Sequence, residues 1–201
     1  MMQNSSAGES RTPVVQDRQH WVSPTGLMDR LELNEGMTVA EIGAGSGYFT
    51  VALAERVGPR GRVFAVESRP ALLAGLRAAL HTPDSPRNVM TVEGTAPDTH
   101  LPDHCCNLVV MADTFHEMSE DERCASLHEA RRILSENGHV AILEWRCDAP
   151  SPPGPPVEQR IPFGKAVCMV EMSSWSLHKA REIDVNGYLL VMTPTDESVQ
   201  S

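Results

Sequence analysis

The sequence predicts an α/β fold in three layers, a mostly parallel sheet between helices, finished by an antiparallel hairpin at its C-terminal side. Three features of the chain point to it. Short apolar, β-branched runs alternate with amphipathic stretches through most of the chain. The first such run, "MTVAEI", passes directly into "GAGSG", a glycine turn between a strand and a helix. Near the C-terminus, Asn186-Gly187 separates two strand-like runs, a strong short-range hairpin signal.

Each element has a local reason. After the glycines, Phe49, Leu53 and Val57 recur at four-residue spacing, an amphipathic stripe that Gly58 and Pro59 stop. "RVFAVE" (62–67) reads as a strand ending in an acid. "PALLAGLRAAL" (70–80) opens on a helix-compatible proline and sets Leu72, Leu73, Leu76 and Leu80 on one face. "NVMTVEG" (88–94) and "NLVVMAD" (107–113) are the third and fourth strands. Ser119 and Glu122 form a capping-box pattern for a helix from about Glu120 to Leu134, closed by Gly138. "HVAILEW" (139–145) is the fifth strand. The proline-rich "DAPSPPGPPVEQRIP" (148–162) reads as a surface loop and "FGKAVCMVEMSSW" (163–175) as a helix. The expected organisation is a flexible segment at 1–15, a single domain at 16–194 with an excursion at 148–175, and a flexible tail at 195–201.

Bulk properties narrow the function classes. A formal charge of −10 works against general affinity for polyanions, so no nucleic-acid partner is expected. No apolar run is long enough to span a bilayer, and the N-terminus has neither the basic nor the apolar segment of a secretory signal. Five cysteines, an odd number without framework spacing, suit reduced thiols in a cytoplasm. No metal-ligand spacing is evident, so no metal site is expected. Oligomeric state is not readable.

Glycine at 43, 45 and 47 means that something approaches the backbone too closely for side chains. A strand–turn–helix of this kind aims backbone N–H groups at a ligand beyond the strand end. "MTVAEIGAGSGYFT", "VFAVE", "NLVVMADTFHEM" and "ENGHVAILEW", in this order and spacing, resemble the class I S-adenosylmethionine-dependent methyltransferases. The small single-domain ubiquinone/menaquinone-biosynthesis-type members are the nearest group, whose pattern includes the "HWVSP" segment and Gly154-Pro155-Pro156. The resemblance implies a Rossmann-like, mostly parallel seven-stranded sheet whose last strand is antiparallel. It also implies S-adenosyl-L-methionine as cofactor, S-adenosyl-L-homocysteine as product, and a small-molecule methyl acceptor.

On that resemblance the candidate cofactor-binding residues are Glu41, Gly43, Ala44, Gly45, Gly47, Glu67, Ser68, Thr95, Ala96 and Asp113. The glycines admit the methionine part of the cofactor. Glu41 takes the place of an acidic residue near its amino acid moiety. Glu67, about twenty residues past the glycines at the end of the second strand, can accept two hydrogen bonds from a ribose diol. The chain departs from the pattern at Thr95, where the family often has an adenine-binding aspartate, with Asp98 or Asp103 as substitutes. It departs again at Asn107, which replaces an acid at the start of the fourth strand. His116 is the candidate base, needed only if the acceptor arrives protonated.

Trp21, Trp145, Met169, Met172 and Trp175 could wall an apolar acceptor pocket, although core packing explains them equally well. Cys147 and Cys168 offer a thiol alternative, and Cys105-Cys106 reads as small apolar packing. Two other function classes stand beside methyl transfer. One is a non-catalytic, cofactor-binding scaffold of the same fold. The other is an NAD-dependent oxidoreductase, disfavoured by Tyr48 and Phe49 after Gly47 where its fingerprint needs G-x-x-G/A.

Overall fold

A computed structural model describes residues 22–149, 154–172 and 174–195. The expectations for His20, Trp21, the N-terminal segment and residues 196–201 of the tail lie outside the described residues.

The strands are β1 (Thr38–Ile42), β2 (Arg62–Glu67), β3 (Val89–Glu93), β4 (Cys106–Ala112), β5 (Leu134–Trp145), β6 (Trp175–Glu182) and β7 (Gly187–Pro194). The helices are α1 (Pro24–Met28), α2 (Thr50–Val57), α3 (Pro70–Ala79), α4 (Glu120–Ile133) and α5 (Phe163–Met172). The strands form one seven-stranded sheet in the order β3-β2-β1-β4-β5-β7-β6. The β1–β2, β1–β4, β2–β3 and β4–β5 pairs are parallel, and β7 runs antiparallel between β5 and β6.

Alternation along the strands builds a core on each face of the sheet. In β1, Val39 joins Leu53 and Val57 of α2 on one side, and Ala40 and Ile42 join Leu127, Ala130 and Ile133 of α4 on the other. The central strands are mostly apolar because helices cover both faces, with Glu41, Asn107 and Glu144 as exceptions. Trp145 and Trp175 are buried in these cores, whereas Met172 is 82% exposed. The aromatic and methionine residues proposed for one acceptor wall are therefore not equivalent.

Two turns differ from expectation. Gly138 does not cap α4, which passes without a gap into β5 at Leu134. Pairing jumps from Cys106–Leu134 to Leu108–His139, so residues 135–138 bulge from the ladder and Gly138 sits in that bulge. The β6–β7 hairpin is present, but its turn is built by Asp184 and not by an Asn-Gly pair. The Asp184 carboxylate accepts the N–H groups of Asn186 (2.8 Å) and Gly187 (2.9 Å), and Gly187 already opens β7. The Ser119–Glu122 capping box forms as read from the sequence.

The loop between β3 and β4 is stapled to α4. Glu129 accepts from the Thr99 N–H (2.8 Å), the Thr99 hydroxyl (2.5 Å) and the Arg132 guanidinium (2.7 Å). Burial pushes the Glu129 carboxyl up, but the Arg132 and Thr99 hydrogen bonds outweigh it and hold its pKa at about 2, against an ordinary 4.5. The resulting stability is present above pH 4.5 and is lost as pH falls toward 2. Glu129→Gln should therefore cost on the order of 2 kcal/mol at neutral pH. In urea denaturation over a pH series, the gap to wild type should close on acidification.

Candidate functional site

The sheet order reverses between β1 and β4: β2 and β3 lie to one side, β5 to the other. In an open α/β sheet this switch point leaves a crevice beyond the carboxyl ends of the strands. A cleft of about 210 Å³ lies there. Gly43 follows β1, Ser68 follows β2, Gly94, Thr95, Ala96 and Pro97 follow β3, and Thr114, Glu117 and Met118 follow β4. Ile42 and Glu122 complete the lining. Of the candidate residues, Gly43, Ser68, Thr95 and Ala96 line it. Glu41, Ala44, Gly45, Gly47, Glu67, Asp113 and His116 do not.

The glycine turn corrects one expectation. Its N–H groups are largely engaged within the chain: Gly43 and Ala44 donate to the Val66 carbonyl (2.9 and 3.0 Å), Gly47 to the Ala44 carbonyl (2.9 Å), and Gly45 to the Glu67 carboxylate (2.7 Å). The helix proper starts only at Thr50. The glycines are required by left-handed backbone, with φ of +78°, +58° and +92° at 43, 45 and 47. They differ in what they make room for. A β-carbon on Gly43 would lie 2.4 Å from Thr114 Oγ1, and one on Gly47 would lie 2.6 Å from Leu76 Cδ1. A β-carbon on Gly45 would meet only the Gly43 carbonyl oxygen, at 3.9 Å. Two glycines thus accommodate the protein itself, and the third leaves space.

Glu67 is buried at the end of β2, and both its oxygens have partners. Oε1 accepts the backbone N–H and Nε of Arg69, each at 2.9 Å, and Oε2 accepts from Gly45. Burial raises the carboxyl, yet the hydrogen bonds and charge of Arg69, with the Gly45 N–H, hold it below the usual carboxylate range. The Arg69 side chain is half exposed. Glu41, also buried, accepts from the Thr50 hydroxyl at 2.5 Å and so ties the start of α2 to β1.

The Thr95 N–H is taken by the Asp98 carbonyl (2.9 Å), and its hydroxyl lies 3.5 Å from the same oxygen. Asp98 and Asp103 do not line the cleft. Asp103 pairs with Arg132 instead. Asn107 is not a cofactor-side substitution at all. It sits at the opposite edge of the sheet, where its Oδ1 accepts the Thr38 N–H (2.8 Å) and its Nδ2 reaches Ser135 Oγ (3.4 Å), clamping β1, β4 and β5.

A second cluster forms where β4 and β5 end. Glu144 is fully buried, and its Oε1 accepts the His116 backbone N–H (3.0 Å). Its Oε2 bonds His116 Nδ1 (2.9 Å) and accepts the Trp145 N–H (3.3 Å). Asp113, at a left-handed φ of +57°, accepts from Trp145 Nε1 (2.7 Å) and lies 3.8 Å from His116 Nδ1. One imidazole and two carboxylates therefore stand within 4.8 Å of one another. That spacing also suits a metal-ligand set, but both Glu144 oxygens already accept N–H hydrogen bonds. Burial pushes the His116 ring toward its neutral form. The hydrogen bond and charge of Glu144, with Asp113 and Glu117, outweigh it and raise the pKa above 6.5.

Glu144 was missed from sequence, although a lone acid within "HVAILEW" should have demanded a buried partner. Arg160 was also missed. Its guanidinium is buried 5.4 Å over the Trp145 ring and donates to the carbonyls of Pro155, Arg146 and Ala149, bracing the loop after β5. Burial pushes the Cys147 thiol up, away from the thiolate that a sulfur nucleophile needs.

Residues 39–138 match the family model described as a methyltransferase domain. The chain is 46% identical over 54 residues to the protein-L-isoaspartate O-methyltransferase of Methanothrix thermoacetophila, 27% of this chain and 26% of that one. It is 26% identical over 110 residues to the ubiquinone/menaquinone biosynthesis C-methyltransferase of Shewanella frigidimarina, 55% of this chain and 43% of that one. These alignments span less than half of each relative. Among solved structures, a SAM-dependent methyltransferase from Aquifex aeolicus superposes with a TM-score of 0.81 at 24% identity, over 88% of this chain and 92% of that one. No helix among the described residues is long and apolar enough to cross a membrane.

Alanine at the two glycines separates their roles. Gly43→Ala should destabilise the fold through both the Thr114 clash and the left-handed φ, by about 1–3 kcal/mol in thermal or denaturant unfolding. Gly45→Ala carries only the cost of left-handed backbone, about 1–2 kcal/mol.

Proposed function

The chain belongs to the class I S-adenosylmethionine-dependent methyltransferases, and on that premise we propose that it transfers a methyl group from S-adenosyl-L-methionine to a small organic acceptor, releasing S-adenosyl-L-homocysteine. The switch-point crevice supports this most, with its glycine turn laced to the Glu67 carboxylate. Glu41, Glu67, Asp113, Glu117, Glu122 and Glu144 gather at this edge of the sheet against Arg69, Arg123 and His116. Such a field favours a ligand that carries positive charge, as a sulfonium and an ammonium do.

The cofactor supplies a methyl group already activated on sulfur, so the protein's task is to bind, orient and exclude water. Gly43, which lines the cleft, and Gly45, which leaves space beside the turn, offer the floor for the methionine part, and Glu41 and Asp113 bias the site toward its ammonium. Glu67 receives the ribose hydroxyls once Arg69 releases it. Ser68, Thr95 and Ala96 border the base. His116 moves a proton: its Nδ1 is committed to Glu144, so Nε2 is the atom that exchanges with the acceptor. The domain spans 16–194, and 148–175 meets the acceptor. The formal charge of −10 favours a small molecule over a nucleic acid.

Calorimetric titration with S-adenosylmethionine, S-adenosylhomocysteine and NAD tests the reading. The two sulfur ligands should bind and NAD should not. Glu67→Ala should weaken binding by about 1.5–3 kcal/mol, roughly ten- to a hundredfold in Kd. Absence of binding by well-folded wild type would overturn the proposal, and binding without turnover across an acceptor screen would favour the non-catalytic scaffold.

His116 adds a pH dependence. A base with a raised pKa is empty only at higher pH, so kcat/KM should climb as pH rises through a value above 6.5. The Glu144–His116 ion pair stabilises the fold below pH 6.5 and loses that contribution as pH rises through the raised value. Glu144→Gln should move the inflection down, and the imidazole chemical shift followed by NMR should titrate at the same lower pH. Removing the imidazole in His116→Ala should cost turnover roughly 100-fold and spare cofactor binding.

A further inference from the structure

Away from the cleft, α4 and α5 face each other across a cavity of about 370 Å³. No residue lines both. Helical spacing puts Glu120, Cys124 and Leu127 on one wall, and Lys165, Cys168, Met169 and Met172 on the other. Two thiols and two thioethers therefore share one cavity. Cys168 Sγ lies 3.9 Å from Met172 Sδ one turn later, and Cys124 and Cys168 are both exposed. Neither cysteine is used by the cofactor cleft or the His116 cluster.

We propose that this sulfur-lined cavity is a binding site for a soft monovalent cation of the Cu(I) class. The donor set selects the ion. Thiolate and thioether sulfurs suit Cu(I), whereas zinc sites take four nitrogen or sulfur ligands, with imidazole or further thiolates, which this lining lacks. The one carboxylate in the lining, Glu120, is held by Lys165 Nζ at 2.7 Å, so it is not offered as a hard ligand. That ion pair links α4 to α5 at one end of the cavity. On binding, the Cys124 and Cys168 thiols release their protons to solvent as two metal–sulfur bonds form. The oxidation state of the metal does not change. Met172 is 82% exposed, on a face of α5 where Lys165 and Cys168 are exposed too, so its side chain has room to close over the ion.

Two measurements on the full chain test this. The first is anaerobic titration of the reduced protein with Cu(I) against a chromophoric Cu(I) chelator. It should reveal one equivalent retained by wild type and by Cys105→Ser, weakened in Met172→Leu, and lost in Cys124→Ser and in Cys168→Ser. The second needs no variant: stoichiometric Ag(I), a soft cation without redox chemistry under these conditions, should protect Cys124 and Cys168 from alkylation, read by peptide mass spectrometry. Retention of the equivalent in either cysteine variant, or protection confined to Cys105 and Cys106, would assign the binding to another thiol pair. Failure of wild type to compete with the chelator would equally overturn the site. Titration with S-adenosylmethionine in the same variants should be unchanged, which keeps this result separate from the methyl-transfer reading.

Discussion

The hydrogen bond from the Gly45 N–H to the buried Glu67 carboxylate is the contact on which the crevice depends. With the Gly43 and Ala44 N–H groups on the Val66 carbonyl, it fastens the turn after β1 to the end of β2. The turn must be left-handed to make these bonds, hence glycine. An ionised carboxylate held out of water needs several donors, and the turn supplies one while Arg69 supplies others. The ligand-facing edge of the sheet is therefore an electrostatic balance. One half-exposed cation, Arg69, holds the carboxylate that is proposed to receive a ligand's hydroxyls.

The same logic recurs between β4 and β5. A carboxylate buried at Glu144 is tolerable because it bonds a backbone N–H and an imidazole. The His116 ring is oriented by that partner, and the charge of Glu144, joined by Asp113 and Glu117 of its own loop, favours the protonated ring. Asp113 adopts its left-handed backbone next to this pair, and its carboxylate is steadied by the Trp145 indole. Three buried carboxylates, Glu41, Glu67 and Glu144, thus lie at or next to the carboxyl ends of their strands. At the amino ends of the strands Asn107 makes ordinary amide hydrogen bonds.

Periodicity and punctuation in the sequence were enough for the layer order, all seven strands and the helices from α2 to α5. Those signals are local: apolar spacing, a capping box, a proline at a helix start. Long-range consequences were not legible. The Asp184 turn replaced the expected Asn-Gly turn because a side chain two residues away captured the same N–H groups. Thr114 fixes glycine at position 43 from seventy-one residues downstream, a contact no window of sequence reveals. Glu144 and Arg160 were passed over because each looks like an ordinary residue of its segment until tertiary partners are seen. The candidate site was legible as a set of strand ends, but which atoms engage one another was not.

The placement of β7 between β5 and β6 means that the order of the strands in space is not the order in which they are synthesised. While β6 is being made, the free edge of β5 has no neighbour in place, and β6 cannot take the position without occupying its successor's seat. Because β6 pairs only with β7, the two strands join the sheet as a hairpin, with the apolar residues from Tyr188 to Met192 seated against β5. A nascent chain therefore carries an open, hydrophobic sheet edge until its final strand emerges. Premature termination before β7 leaves that edge exposed as a template for pairing with other chains.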